Sequence, residues 1–147
     1  MSRRPHAALH YAVLIVHVGW GLSVMHRPHL PEIVASYTRF TEIMPWLTWG
    51  WVALGVAAFM LAARPGTLWG QCAHFISSAW LFLVAGVFTS TVGITSAATT
   101  YTILAGCSLV LFAADFRAWL PRSTHIQSLT RHPPRWASRR RDGPGPE

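Results

Sequence analysis

Three histidines carry the most suggestive chemistry in this sequence. His10 and His17 stand seven residues apart, which places both imidazoles on one face of a helix, and His74 falls in a second apolar stretch. Two imidazoles meeting across a helical bundle can ligate a haem iron. They can also relay protons, because imidazole titrates near neutrality. His10, His17 and His74 are therefore the candidate cofactor-binding residues, with hydrogen bonding between helices, or a place near the headgroups, as the plainer alternative. No C-x-x-C-H attachment site accompanies them, and no resident cofactor is expected. His26-Arg27-Pro28-His29 looks like a fragment of a metal site but lacks the third and fourth ligands and nearby thiols that zinc requires. Cys72 and Cys107 read as small apolar residues. With no Ser–His–Asp order, phosphate-cradling glycine loop or carboxylate pair, an enzyme is not expected.

The elements that must hold these residues are apolar. The chain has 147 residues, 52% hydrophobic and only 12% charged, with 8 Trp. A soluble domain carries about twice that charged fraction. Residues 5–26, 43–63 and 65–114 contain no Asp, Glu, Lys or Arg. A helix needs about 20 residues to cross a hydrocarbon core about 30 Å thick, so the last stretch suffices for two crossings and a turn. Ser and Thr crowd around Gly93 at 89–100, which marks the turn. The expectation is an all-α, polytopic integral membrane protein. Four transmembrane helices, near 8–25, 46–63, 68–88 and 98–119, form an up-down bundle over residues 1–120. Arg64-Pro65-Gly66 supplies a short, helix-breaking turn between the second and third. A soluble bundle would show polar faces at helical spacing, and 52–63 has none.

Charges orient the spans. All 12 basic residues are Arg. Arg3, Arg4, Arg64, Arg117 and the tail arginines fall on one side, whereas Arg27 and Arg39 fall on the other beside Glu32 and Glu42. The positive-inside rule then puts both termini in the cytoplasm and the protein in the cytoplasmic (inner) membrane. The first helix reads as an uncleaved anchor, since its apolar run is too long for a signal peptide and no A-x-A-like site follows it. Asp115 and Arg117 sit near the end of the last span, two apart and facing away from each other. Trp46, Trp49, Trp51, Trp69 and Trp119 lie near helix ends and are expected at the membrane interface.

Residues 31–44 place Ile33, Tyr37, Phe40 and Met44 on one helical face, as in an interfacial helix, with a plain packed loop as the alternative. Residues 121–147 hold five prolines and the basic set Arg131, Arg135, Arg139, Arg140 and Arg141. They read as a disordered basic cytoplasmic tail that contacts anionic lipid. Nucleic acid is not the expected partner, for no recognition module accompanies the basic run. Small residues recur on the spans, namely Gly19, Gly21, Gly50, Ala53, Ala57, Ala79, Gly86 and Gly106. They allow close helix approach, within one chain or between copies. The hydroxyls of 89–102 suit turn chemistry or, in an assembly, a wet lumen.

The apolar spans, short connections and arginine tail 131–141 together resemble the holins and holin-like membrane proteins of phage lysis cassettes. That resemblance is one of architecture across the whole chain. It implies accumulation in the cytoplasmic membrane and homo-oligomerisation into permeabilising lesions. Two alternatives stand beside it. One is a non-lytic accessory or scaffold subunit bound to a membrane protein partner, and the other is a haem- or quinone-associated electron-transfer subunit using His10 and His74.

Overall fold

A computed structural model describes residues 4–64 and 67–120. All its regular elements are helical: α1 (Arg4–His26), α2 (Leu30–Ile33), a 3-10 turn (Ala35–Tyr37), α3 (Thr38–Ile43), α4 (Trp46–Ala62), α5 (Leu68–Val92) and α6 (Ser96–Trp119). Three segments are long and apolar enough to cross a membrane: His6–His26, Leu68–Val92 and Ser96–Arg117, with mean hydropathies of 1.6, 1.8 and 1.7. At 17 residues α4 is shorter. It rises only about 25 Å, against a hydrocarbon core of about 30 Å. The segment Ala35–Ile43 precedes it at a bend of 78°, so the two count as a fourth span only when taken together. The basic tail, with Arg131, Arg135, Arg139, Arg140 and Arg141, lies outside the described residues.

The α5–α6 junction is tighter than the sequence suggests. Instead of an open Ser/Thr turn over 89–100, α5 continues to Val92 and α6 begins at Ser96. The hydroxyls explain the difference, because they bond back to their own helices. Thr89 donates to the Ala85 carbonyl and Thr91 to that of Val87, each at 2.9 Å, while Thr100 and Thr102 donate to Ser96 and Ala98 at 2.7 and 2.8 Å. A side chain satisfied this way needs no water. Only Gly93 breaks the backbone, at a φ of 76° where a Cβ would be strained, and the Thr95 hydroxyl caps α6 by accepting from the Ala98 N–H. Thr67 caps α5 in the same manner through Gly70.

Two close helix pairs result. In the first, α1 lies antiparallel on α4, and the approach is set by Gly21 and Gly50. A Cβ at Gly21 would meet Leu54 Cγ at 2.6 Å and the Gly50 carbonyl at 3.1 Å, whereas one at Gly50 would meet Met25 Cε at 2.9 Å and Val24 Cγ1 at 3.0 Å. Ala53 and Ala57 are buried close by. In the second pair, α5 and α6 run antiparallel along their length, from Gln71 beside Asp115 to Phe88 stacked on Tyr101. The remaining small residues do not pack within the chain. Gly19 and Gly86 are exposed, Gly106 is half-buried, and none of the three has an atom within 4 Å of a would-be Cβ; Ala79 also faces outward.

The single interfacial helix expected over 31–44 is instead three short pieces. Val34 adopts extended backbone (φ −122°, ψ 109°) and breaks the stripe, leaving Ile33 79% exposed while Phe40 is wholly buried. Phe40 and Tyr37 enter an aromatic cluster with Trp20, Trp46 and Phe88. Trp46 and Trp49 are buried in the same core. Their indole N–H groups donate to the Arg27 and Phe40 carbonyls, each at 3.0 Å, and thereby fasten the connecting segment to α4. Trp51 and Trp69 are exposed, and Trp119 is half-buried.

Gly50→Leu is expected to destabilise the protein by about 1–3 kcal/mol through overpacking against Val24 and Met25, whereas Gly86→Leu is accommodated. Thermal unfolding of both variants in mild detergent distinguishes them, and equal losses would contradict this packing.

Candidate functional site: a buried polar seam

The helix pairs meet along a line of polar side chains. His17 is 1% exposed and Ser77 and Ser108 are wholly enclosed. His17 Nε2 lies 2.8 Å from Ser77 Oγ, which lies 3.0 Å from Ser108 Oγ. A hydroxyl donates one hydrogen bond and accepts two, so Ser77 can stand between an imidazole on α1 and a hydroxyl on α6. Ser78, one residue on, donates to the Ala105 carbonyl of α6 at 3.0 Å. Each bond joins two helices, and together they tie α1 to the α5–α6 pair.

Nearer the start of α1 the seam becomes more polar. His10 Nδ1 and His74 Nε2 are 3.4 Å apart, with the rings edge to face at centroids 5.1 Å apart. Gln71, a turn earlier on α5, donates to the Asp115 carbonyl at 3.5 Å. Two buried atoms here lack a hydrogen-bond partner among the described residues: His74 Nδ1 and Asp115 Oδ2. The opposite end is closed by the aromatic cluster around Trp20, which stacks edge to face on Phe88 and Tyr101. The seam thus carries its ionisable imidazoles at one end and an aromatic cluster at the other.

All three candidate histidines enter this seam, and the geometry bears on the chemistry proposed for them. His10 and His74 touch each other directly, so the pair as arranged leaves no slot for a porphyrin between the rings, and His17 is engaged by Ser77. No group of three or more His, Cys, Asp or Glu able to hold a metal ion occurs among the described residues. The Ser77–His17 contact has the distance of an activated nucleophile. Both groups are enclosed, and the contact joins α1 to α5. Cys72 and Cys107 are half-buried free thiols.

Several members of the seam are absent from the residue types singled out in the sequence. Gln71, His74 and Ser78 follow i, i+3, i+7 spacing, the signature of one polar stripe on an otherwise apolar helix. That stripe could have been read beforehand by searching for polar rather than apolar periodicity. Asp115 lies two residues from the exposed Arg117, yet its Oδ2 is buried.

Ser77→Ala is expected to cost about 1 kcal/mol, because it removes two interhelical bonds at once and leaves His17 unpartnered. Thr100→Ala, which loses only a bond within its own helix, is expected to have less effect. Thermal unfolding in detergent measures both. Comparison with known proteins gave no match: no family model, no curated protein and no solved structure aligns with the chain.

Proposed function

We propose that this chain is an integral membrane protein whose helices traverse the bilayer four times in alternating directions. The observation that carries this reading is the inverted polarity of the fold. His17, Gln71, His74, Ser77, Ser78 and Ser108 are buried, while Ile15, Leu61, Ile103 and Val110 are each more than 60% exposed. In water that arrangement would hide polar groups and wet apolar ones. In hydrocarbon both choices are favourable, since intramembrane polar groups turn toward the protein interior. With the arginine distribution, the same reading puts both termini in the cytoplasm and the protein in the cytoplasmic membrane. The short α4 is accommodated as a span at the lower limit of about 17 residues.

Within that class, we infer a non-enzymatic, holin-like action, in which copies associate in the membrane and permeabilise it. Support comes from the small residues that face outward with no partner in the chain. Gly19, Ala79 and Gly86, together with exposed Gly55 and Ala58, offer smooth surfaces on α1, α4 and α5 for close approach of another helix. Anionic lipid is the natural partner of the arginine-rich tail.

Inducible expression in a bacterium, followed by a potential-sensitive dye, tests this directly. Loss of membrane potential with large homo-oligomers in mild detergent is the expected result. Steady growth with an intact potential at high protein level would overturn the permeabilising role, and a stable hetero-complex on purification would replace it with that of an accessory subunit.

A further inference from the structure

The polar end of the seam holds more ionisable groups than its hydrogen bonds require. Three elements contribute. From α1 comes His10, with the Tyr11 ring against it at 5.4 Å, and His17 lies two turns further on, bonded to Ser77. From α5 comes His74, with the uncharged Gln71 beside it. From α6 comes Asp115, whose carbonyl accepts from Gln71 a turn from His74 and whose buried Oδ2 has no hydrogen-bond partner among the described residues. Beside them, α4 contributes the apolar Met60 and Ala63 to the neighbouring core. An imidazole–imidazole hydrogen bond needs one N–H and one bare nitrogen, so it forms with the two rings neutral or with one protonated, and fails with both protonated.

Charge balance selects between those states. Two neutral imidazoles beside an ionised Asp115 leave the pocket with one uncompensated negative charge in a low-dielectric interior. Two imidazoliums leave one uncompensated positive charge. A single added proton makes the pocket neutral, and uncompensated buried charge is the costly alternative. The unpartnered His74 Nδ1 and Asp115 Oδ2 are the atoms that such a proton, directly or through a water, would satisfy.

We propose that His10, His74 and Asp115 form a proton-binding site that takes up one proton per chain. The proton is held as one imidazolium shared across the His10–His74 contact, with the Asp115 carboxylate as counter-charge. It enters from the side on which α1 begins, because the aromatic cluster around Trp20 closes the other end of the seam. On uptake an N–H bond forms on one imidazole as an O–H bond of a solvent hydronium breaks, leaving water behind. The three groups titrate as a unit rather than singly. This site stands independently of the permeabilising role proposed above, since it requires neither self-association nor lesion formation.

The test is ¹⁵N-histidine NMR of the full-length protein in phosphatidylcholine nanodiscs, taken from about pH 8 down to about pH 4. His10 and His74 are assigned by loss of their signals in His10→Gln and His74→Gln. In the unsubstituted protein the two resonances are expected to move together in one step that yields one imidazolium per chain. Asp115→Asn is expected to lose that step, while the remaining histidine signals match those of the unsubstituted protein and serve as the control for an intact sample. Independent transitions of His10 and His74, no imidazolium on either over the range, or an Asp115→Asn variant with an unchanged step would each overturn the proposal. The first two outcomes are read on the unsubstituted protein and do not depend on the variant folding.

Discussion

A hydrogen bond that would be worth little in water becomes a structural requirement where no water competes for its partners. The seam of His17, Ser77, Ser108, Ser78 and Gln71 is the place in this fold where that requirement acts. The two helix pairs are each held by close packing, α1 to α4 at Gly21 and Gly50 and α5 to α6 along their length. Backbone contact between α1 and α5 is sparse, and what joins these helices is the long side chains of His10 and His17 reaching across. In the membrane setting proposed above, where lipid gives no hydrophobic drive for two apolar helices to associate, such polar bridges and tight van der Waals contact do the joining.

The rest of the architecture follows from where that seam stops. Beyond His17 the interior changes to rings: Trp20, Tyr37, Phe40, Trp46 and Phe88 pack edge to face or tilted. The connecting segment between α1 and α4 is drawn into this cluster by Phe40 and held there by indole bonds to its backbone carbonyls. One half of the interior therefore carries the histidines with the unpartnered His74 Nδ1 and Asp115 Oδ2, and the other is built of rings, with Trp20 Nε1 as its own unpartnered atom among the described residues. That asymmetry gives the molecule a direction, with the polar half on the side where α1 starts and α6 ends.

Much of this was legible in the sequence, for physical reasons that differ from element to element. The uncharged runs marked the three long helices because each is long and apolar enough to cross a hydrocarbon core. The grouping of His10, His17 and His74 was also visible, since period and depth alone place them near one another. Helix ends were less legible. Threonines at 89–102 look like turn residues until one sees each hydroxyl bonded to the carbonyl a turn earlier, a choice that depends on the absence of water. The bonding of the tryptophans was hidden for a related reason: the same amphipathic ring that suits a headgroup also suits a core offering a backbone carbonyl, as at Trp46 and Trp49. Asp115 was hidden because its sequence neighbourhood is interfacial, and only the rotation of α6 decides that its carboxylate faces in.

The account rests on hydrocarbon being the medium around these helices. Alkaline carbonate extraction of membranes from cells making the full-length protein measures that property with the fewest assumptions. The chain is expected to stay in the pellet until detergent is added. Its release into the clear supernatant, intact and without detergent, would contradict the account at its foundation.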